Sequence, residues 1–75
     1  MEDKRVTLRN RLQDYNLSYS WLIVSMRRKG LNVEKSTLSS VMSGVIVGER
    51  AEKILESANV VLDEYAMLYL DRASK

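Results

Sequence analysis

Apolar residues recur along this chain at steps of three and four, and the pattern breaks near Asn16 and near Gly30, Gly44 and Gly48. Val6, Leu8, Leu12 and Tyr15 predict a first helix over about residues 4–15, with Arg5, Arg9, Asn10, Arg11 and Asp14 giving its other face a basic character. Asn16 is placed to end it, and Ser18 to cap a second helix in which Tyr19, Leu22, Ile23 and Met26 share a buried side. Gly30 stops that helix. A third runs from about Glu34 to Ser43, with Leu38, Val41 and Met42 inward, Ser36, Ser39, Ser40 and Ser43 opposite, and Lys35 and Thr37 on the flanks. From Glu49 to about Arg72 there is neither Gly nor Pro. Ala51, Ile54, Ala58, Val61, Tyr65 and Leu68, extended by Leu55, Leu62 and Tyr69, predict one long amphipathic helix or two collinear ones.

Two short helices separated by a glycine turn, the second presenting small hydroxyls, read as a helix-turn-helix over about residues 18–44. Such a unit lays its second helix in the DNA major groove. A recognition helix has to approach base edges closely, and short hydroxyls allow this while bonding to several bases, so each contact discriminates weakly. Serine is only a moderate helix former, so four of them here point to a reason other than propensity. Lys35 adds a phosphate or guanine contact. Arg28 and Lys29, with Arg27, fall in the last turn of the second helix, where the dipole favours cations; phosphate contact is the functional reading of the same residues. Trp21 is assigned to the core, between the first two helices or under the last one.

Length and composition narrow the classes. The chain has 75 residues, enough for a single domain and one small core, which self-association would help to stabilise. Absent proline and only three glycines leave few breaks in which hairpins could be organised, so the expected class is all-α. No apolar run approaches the roughly 20 residues of a membrane span, the N-terminus lacks the apolar stretch of a secretory signal, and no cysteine is present. A cytoplasmic protein away from membranes is expected. Residues 1–44 carry a local charge of +4 and residues 45–75 one of −2, so the basic half coincides with the helix-turn-helix and supplies attraction to phosphates. Histidine is absent as well, and the serines have no adjacent base, so no enzyme, metal site or cofactor is expected.

Leu22, Met26, Leu31 and Val33, then Lys35-Ser-Thr-Leu-Ser-Ser-Val-Met-Ser-Gly44, followed by Ala51 and Ile54-Leu55, resemble the lambda-repressor and Cro-like helix-turn-helix domains of phage and bacterial regulators. The resemblance covers about residues 5–62. It implies a small five-helix bundle that binds operator DNA as a dimer. Base-facing roles would then fall on Lys35, Ser36, Ser39 and Ser40, and phosphate contacts near Ser43 and the following loop.

After Gly44 the loop reads Val45-Ile46-Val47-Gly48, with no cation before Arg50. An apolar loop tip usually packs against something, whether its own core, a second subunit or another protein. The last part of the long helix has little domain left to cover, so Tyr65, Leu68 and Tyr69 are candidates for a homodimer contact. Two functions are therefore expected to compete. One is a transcriptional regulator binding double-stranded DNA as a homodimer; the other is a small modulator using the same fold, through Val45, Ile46, Val47 and the last helix, to bind a larger regulatory protein.

Overall fold

The computed structural model describes the backbone of residues 4–73 and the side chains of residues 4–68. Four helices follow one another: α1 (Lys4–Asp14), α2 (Tyr19–Arg28), α3 (Lys35–Met42) and α4 (Glu49–Ala73), with no strand among the described residues. The expected all-α class is therefore observed, but with four helices rather than five. The reason is local. Without a Gly or Pro after Gly48, nothing interrupts the hydrogen-bond ladder of α4, and one helix of 25 residues occupies the stretch where a bundle of five would have a break.

Three helix ends are closed by the same device. In each, a residue with positive φ follows the last turn, and the two amides around it turn back onto free carbonyls. Asn16 (φ 57) ends α1, where its N–H donates to the Gln13 carbonyl and that of Leu17 to Leu12. Gly30 (φ 94) ends α2 through its own N–H to Arg27 and that of Leu31 to Met26. Gly44 (φ 86) ends α3 through its N–H to Val41 and that of Val45 to Ser40. At the other end of α2, Ser18 caps the helix as the sequence predicts, its Oγ accepting from the Trp21 N–H at 3.2 Å.

All three shorter helices pack on α4, and α2 also packs on α3. Leu8 and Leu12 from α1, Leu22, Ile23 and Met26 from α2, and Leu38, Val41 and Met42 from α3 close over Ala51, Ile54, Leu55, Ala58, Val61 and Leu62. Val6 is not part of this core. It is half exposed, because Leu8, Leu12 and Tyr15 lie within one arc of α1 and Val6 points away from it. Beyond the core stripe, α4 is held by aromatic rings: Tyr65 lies 5.5 Å from Tyr15 and 5.3 Å, edge-on, from Trp21. Trp21 thus packs against the last helix, one of the two positions the sequence suggests.

Gly30 and Gly44 share a left-handed backbone but not a neighbourhood. A Cβ on Gly30 would meet nothing within 4 Å, whereas one on Gly44 would lie 2.9 Å from Arg5 Nη1. Gly30→Ala is expected to cost about 1 kcal/mol from backbone strain alone, and Gly44→Ala about 2 kcal/mol because the Arg5 guanidinium must also move. Urea unfolding midpoints of the two variants measure the difference.

Candidate nucleic-acid interface

α2, α3 and the link between them make up the segment that the sequence reads as a helix-turn-helix. α2 runs to Arg28, a six-residue link from Lys29 to Glu34 turns the chain, and α3 follows. Leu31 packs against the core from this link and Val33 is buried in it, which anchors the turn at two points. α3 is held at its far end by α1. It has no basic residue in its own last turn. Arg9 instead reaches across to donate to the Met42 carbonyl at 3.4 Å, and the Arg5 guanidinium lies over Gly44. Both cations sit where the helix dipole favours them.

With Leu38, Val41 and Met42 buried, α3 turns Lys35, Ser36, Ser39 and Ser43 to solvent, within an arc of about 100°. Ser40 and Thr37, which the sequence places with this face or beside it, are half-buried at its edges. The Ser43 hydroxyl donates to the Ser40 carbonyl at 3.2 Å, so Ser43 is engaged with its own helix end. Glu34 stands at the N-cap without a side-chain cap hydrogen bond, and no acidic residue follows in the first turn, so nothing there opposes an approaching anion except Glu34 itself.

The basic half of the sequence is sorted by the fold into two sets. One set is spent on α4. Lys4 pairs with Glu52 at 2.6 Å, Arg11 with Asp63 at 2.8 Å and Lys29 with Glu64 at 2.5 Å. Arg11 is the most enclosed of the three, also donating to Asn59 Oδ1 at 3.2 Å and lying over the Tyr15 ring. Partial burial acts against its charge, but its contacts with Tyr15 and Asp63 outweigh this and hold the guanidinium above its ordinary pKa. The Lys4 ammonium is likewise raised, by the hydrogen bond to Glu52 and then by its charge. The second set is Arg27, Arg28, Lys35, Arg50 and Lys53, which have no ionic partner among the described residues.

Three of these unpaired cations line one hollow. α2 contributes Ser20, Ile23, Val24 and Arg27, the link Asn32, Val33 and Glu34, α3 Lys35 and Thr37, and α4 Arg50. Sequence patterning assigns Lys29 to the interface, where the structure has it paired with Glu64, and passes over Arg50, which lies far along the chain and joins the site only because the first turn of α4 packs beside the helix-turn-helix. Arg28 is exposed at the edge of a separate, shallow hollow with Trp21, Tyr65 and Leu68.

The residues assigned to a partner surface separate as well. Val45 is 76 % and Val47 67 % exposed, while Ile46 packs against the core. Ile46 is thus taken up by its own domain, the first of the three positions open to an apolar loop. Tyr65 is half-buried between Tyr15 and Trp21, Leu68 is largely exposed, and the side chain of Tyr69 lies outside the described residues. No helix among the described residues is long and apolar enough to cross a membrane.

Arg11 holds more of the fold than the two exposed pairs. Arg11→Ala is expected to cost about 1–2 kcal/mol through lost charge-assisted hydrogen bonds. Lys29→Ala should stay below about 1 kcal/mol, as solvated ion pairs do. Thermal unfolding of both variants checks the order. No protein-family model matches this chain, and neither a curated protein nor a solved structure matches it.

Proposed function

We propose that this chain is a sequence-specific DNA-binding transcriptional regulator of the lambda-repressor and Cro-like kind, which lays α3 in the major groove and acts as a homodimer. The observation that carries the reading is the coincidence on and beside α3 of an outward hydroxyl face, Ser36 and Ser39, with three cations that have no ionic partner among the described residues, Arg27, Lys35 and Arg50. Unpaired cations around a narrow, short-side-chained helix supply phosphate attraction beside close access to base edges. A dimer would present two such faces to a pseudo-palindromic site. Its contact falls to Leu68 and Met67, with Val60 from the middle of α4, all exposed, rather than to Tyr65, whose ring is already packed internally.

A second reading is favoured by Val45 and Val47, which stand in solvent on one loop while Ile46 between them turns inward. In it, the loop docks a larger regulatory protein. Val45→Asp then removes the partner without unfolding the domain, whereas Ile46→Asp would disturb the core.

The test of the first reading is selection from a randomised duplex pool, followed by fluorescence anisotropy on the recovered and a scrambled duplex at two salt concentrations. Recovered sites should contain inverted half-sites about 10 base pairs apart, with tighter, salt-sensitive binding to the recovered duplex. Lys35→Ala should weaken binding roughly tenfold, equivalent to about 1.4 kcal/mol, and Ser36→Ala with Ser39→Ala should narrow the gap between the two duplexes. Equal affinity for both duplexes contradicts sequence-specific recognition.

A further inference from the structure

Of the cations that sequence patterning assigns to the interface, Arg28, Lys29 and Lys35, only Arg28 is taken up neither by an ion pair nor by the hollow between α2 and α3. It borders a second hollow, between α2 and α4, which shares no lining residue with the first. Trp21, Ser25 and Arg28 follow at steps of four and three along α2, and Val61, Tyr65 and Leu68 do the same along α4. Each helix thus gives the hollow two turns, about 10 Å. Its surface is mainly apolar: Val61 is buried beneath it, the Trp21 and Tyr65 rings meet edge-on, and Leu68 is 69 % exposed. Ser25, small and half-buried, leaves the middle of the α2 wall open.

Size and charge together select an occupant. The hollow has a volume of about 220 Å³, below the roughly 300 Å³ at which small-molecule sites begin, and has room for one large apolar side chain. Lys29 and Glu64 at its rim pair with each other, so Arg28 leaves it one positive charge uncompensated among the described residues. A duplex backbone offers anions but nothing large and apolar to fill the hollow. A second copy of this chain offers the apolar side chain but not the charge, because along this part of α4 Asp63 and Glu64 are already held by Arg11 and Lys29. A foreign segment that carries both an apolar anchor and a carboxylate meets both demands.

We infer that the hollow between α2 and α4 is a docking site for an acidic amphipathic segment of another protein, which seats one large apolar side chain between Trp21 and Leu68 and brings an Asp or Glu to Arg28. The aromatic and aliphatic walls supply affinity, and Arg28 selects for charge. The site is separate from the proposed DNA contact and from the Val45–Val47 loop, none of whose residues line it. Leu68 alone is shared with the proposed dimer contact, since Val60 and Met67 lie outside the hollow.

The experiment is a display selection on the full chain from a tryptophan-free library of helical peptides, with the recovered peptides titrated against the full chain, Arg28→Glu and Ser25→Gln. Trp21 is the one tryptophan of the chain, so its emission reports occupation of the hollow. Lys53→Glu, the same charge change at an exposed residue outside the hollow, is the control. Circular dichroism melts establish that each variant is folded, and Arg28, being exposed, tests the site even where the filled wall of Ser25→Gln disturbs folding. Recovered peptides should carry a Leu, Met or Phe with an Asp or Glu within two turns, and should shift the Trp21 emission. Arg28→Glu should weaken them about tenfold, and exchanging the peptide's acidic residue for Lys should restore affinity for that variant. Ser25→Gln should weaken them as well, and Lys53→Glu should not.

A selection that recovers no peptide would overturn the site, as would peptides without an acidic residue or an equal loss of affinity in Arg28→Glu and Lys53→Glu. Sedimentation equilibrium in which Ser25→Gln or Arg28→Glu turns a dimer into monomers would overturn it by giving the hollow to a second copy. Loss of duplex affinity in Arg28→Glu, with peptide affinity unchanged, would overturn it by returning Arg28 to the DNA.

Discussion

The burial of one stripe of α4, from Ala51 to Leu62, beneath three short helices is the interaction on which the rest of this structure depends. Helices of 8 to 11 residues are marginal in water by themselves, so α1, α2 and α3 owe their persistence to that shared surface. The same helix organises the charge. Glu52, Asp63 and Glu64 lie along its flanks and take Lys4, Arg11 and Lys29 in turn, so the packing that forms the core also decides which cations remain available. Three of the cations left over, Arg27, Lys35 and Arg50, line the hollow where α2, α3 and the first turn of α4 meet.

Much of the fold could be read from local chemistry. Ser18 as an N-cap, Asn16, Gly30 and Gly44 as helix ends, and the inward faces of α2 and α3 follow from rules that act within one or two turns, and each is observed. What local rules miss is pairing across the chain. Val6 fits a helical stripe by spacing yet lies outside the core, since α1 buries only the arc that meets α4. Lys29 reads as a free cation beside Arg28 until Glu64, distant along the chain, is brought next to it. Arg50 carries no signal in its own neighbourhood and joins the candidate interface through tertiary packing alone. Tyr65 continues the apolar stripe of α4 by spacing and reads as a homodimer contact, and only the positions of Tyr15 and Trp21 show its ring to be packed within the domain.

The candidate interface and the apolar loop lie in different surroundings and suit different partners. At the first, cations with no ionic partner among the described residues line a hollow that reaches Lys35, next to the outward Ser36 and Ser39, as the proposed DNA contact requires. At the second, Val45 and Val47 project beyond the turn that ends α3, with Ile46 holding the loop to the core. α3 is held at both ends: Arg5 and Arg9 lie against its C-terminal end, while the buried Val33 fixes the link before it.

The most direct measurement is a nitrogen-15 amide shift map of the chain titrated with the selected duplex. Shifts concentrated at Arg27, residues 32–39 and Arg50, with little change at Val45, Val47 and the outer face of α4, are expected if the helix-turn-helix end is the nucleic-acid interface. Shifts concentrated at the Val45–Val47 loop or along α4, with residues 32–39 unmoved, would contradict it.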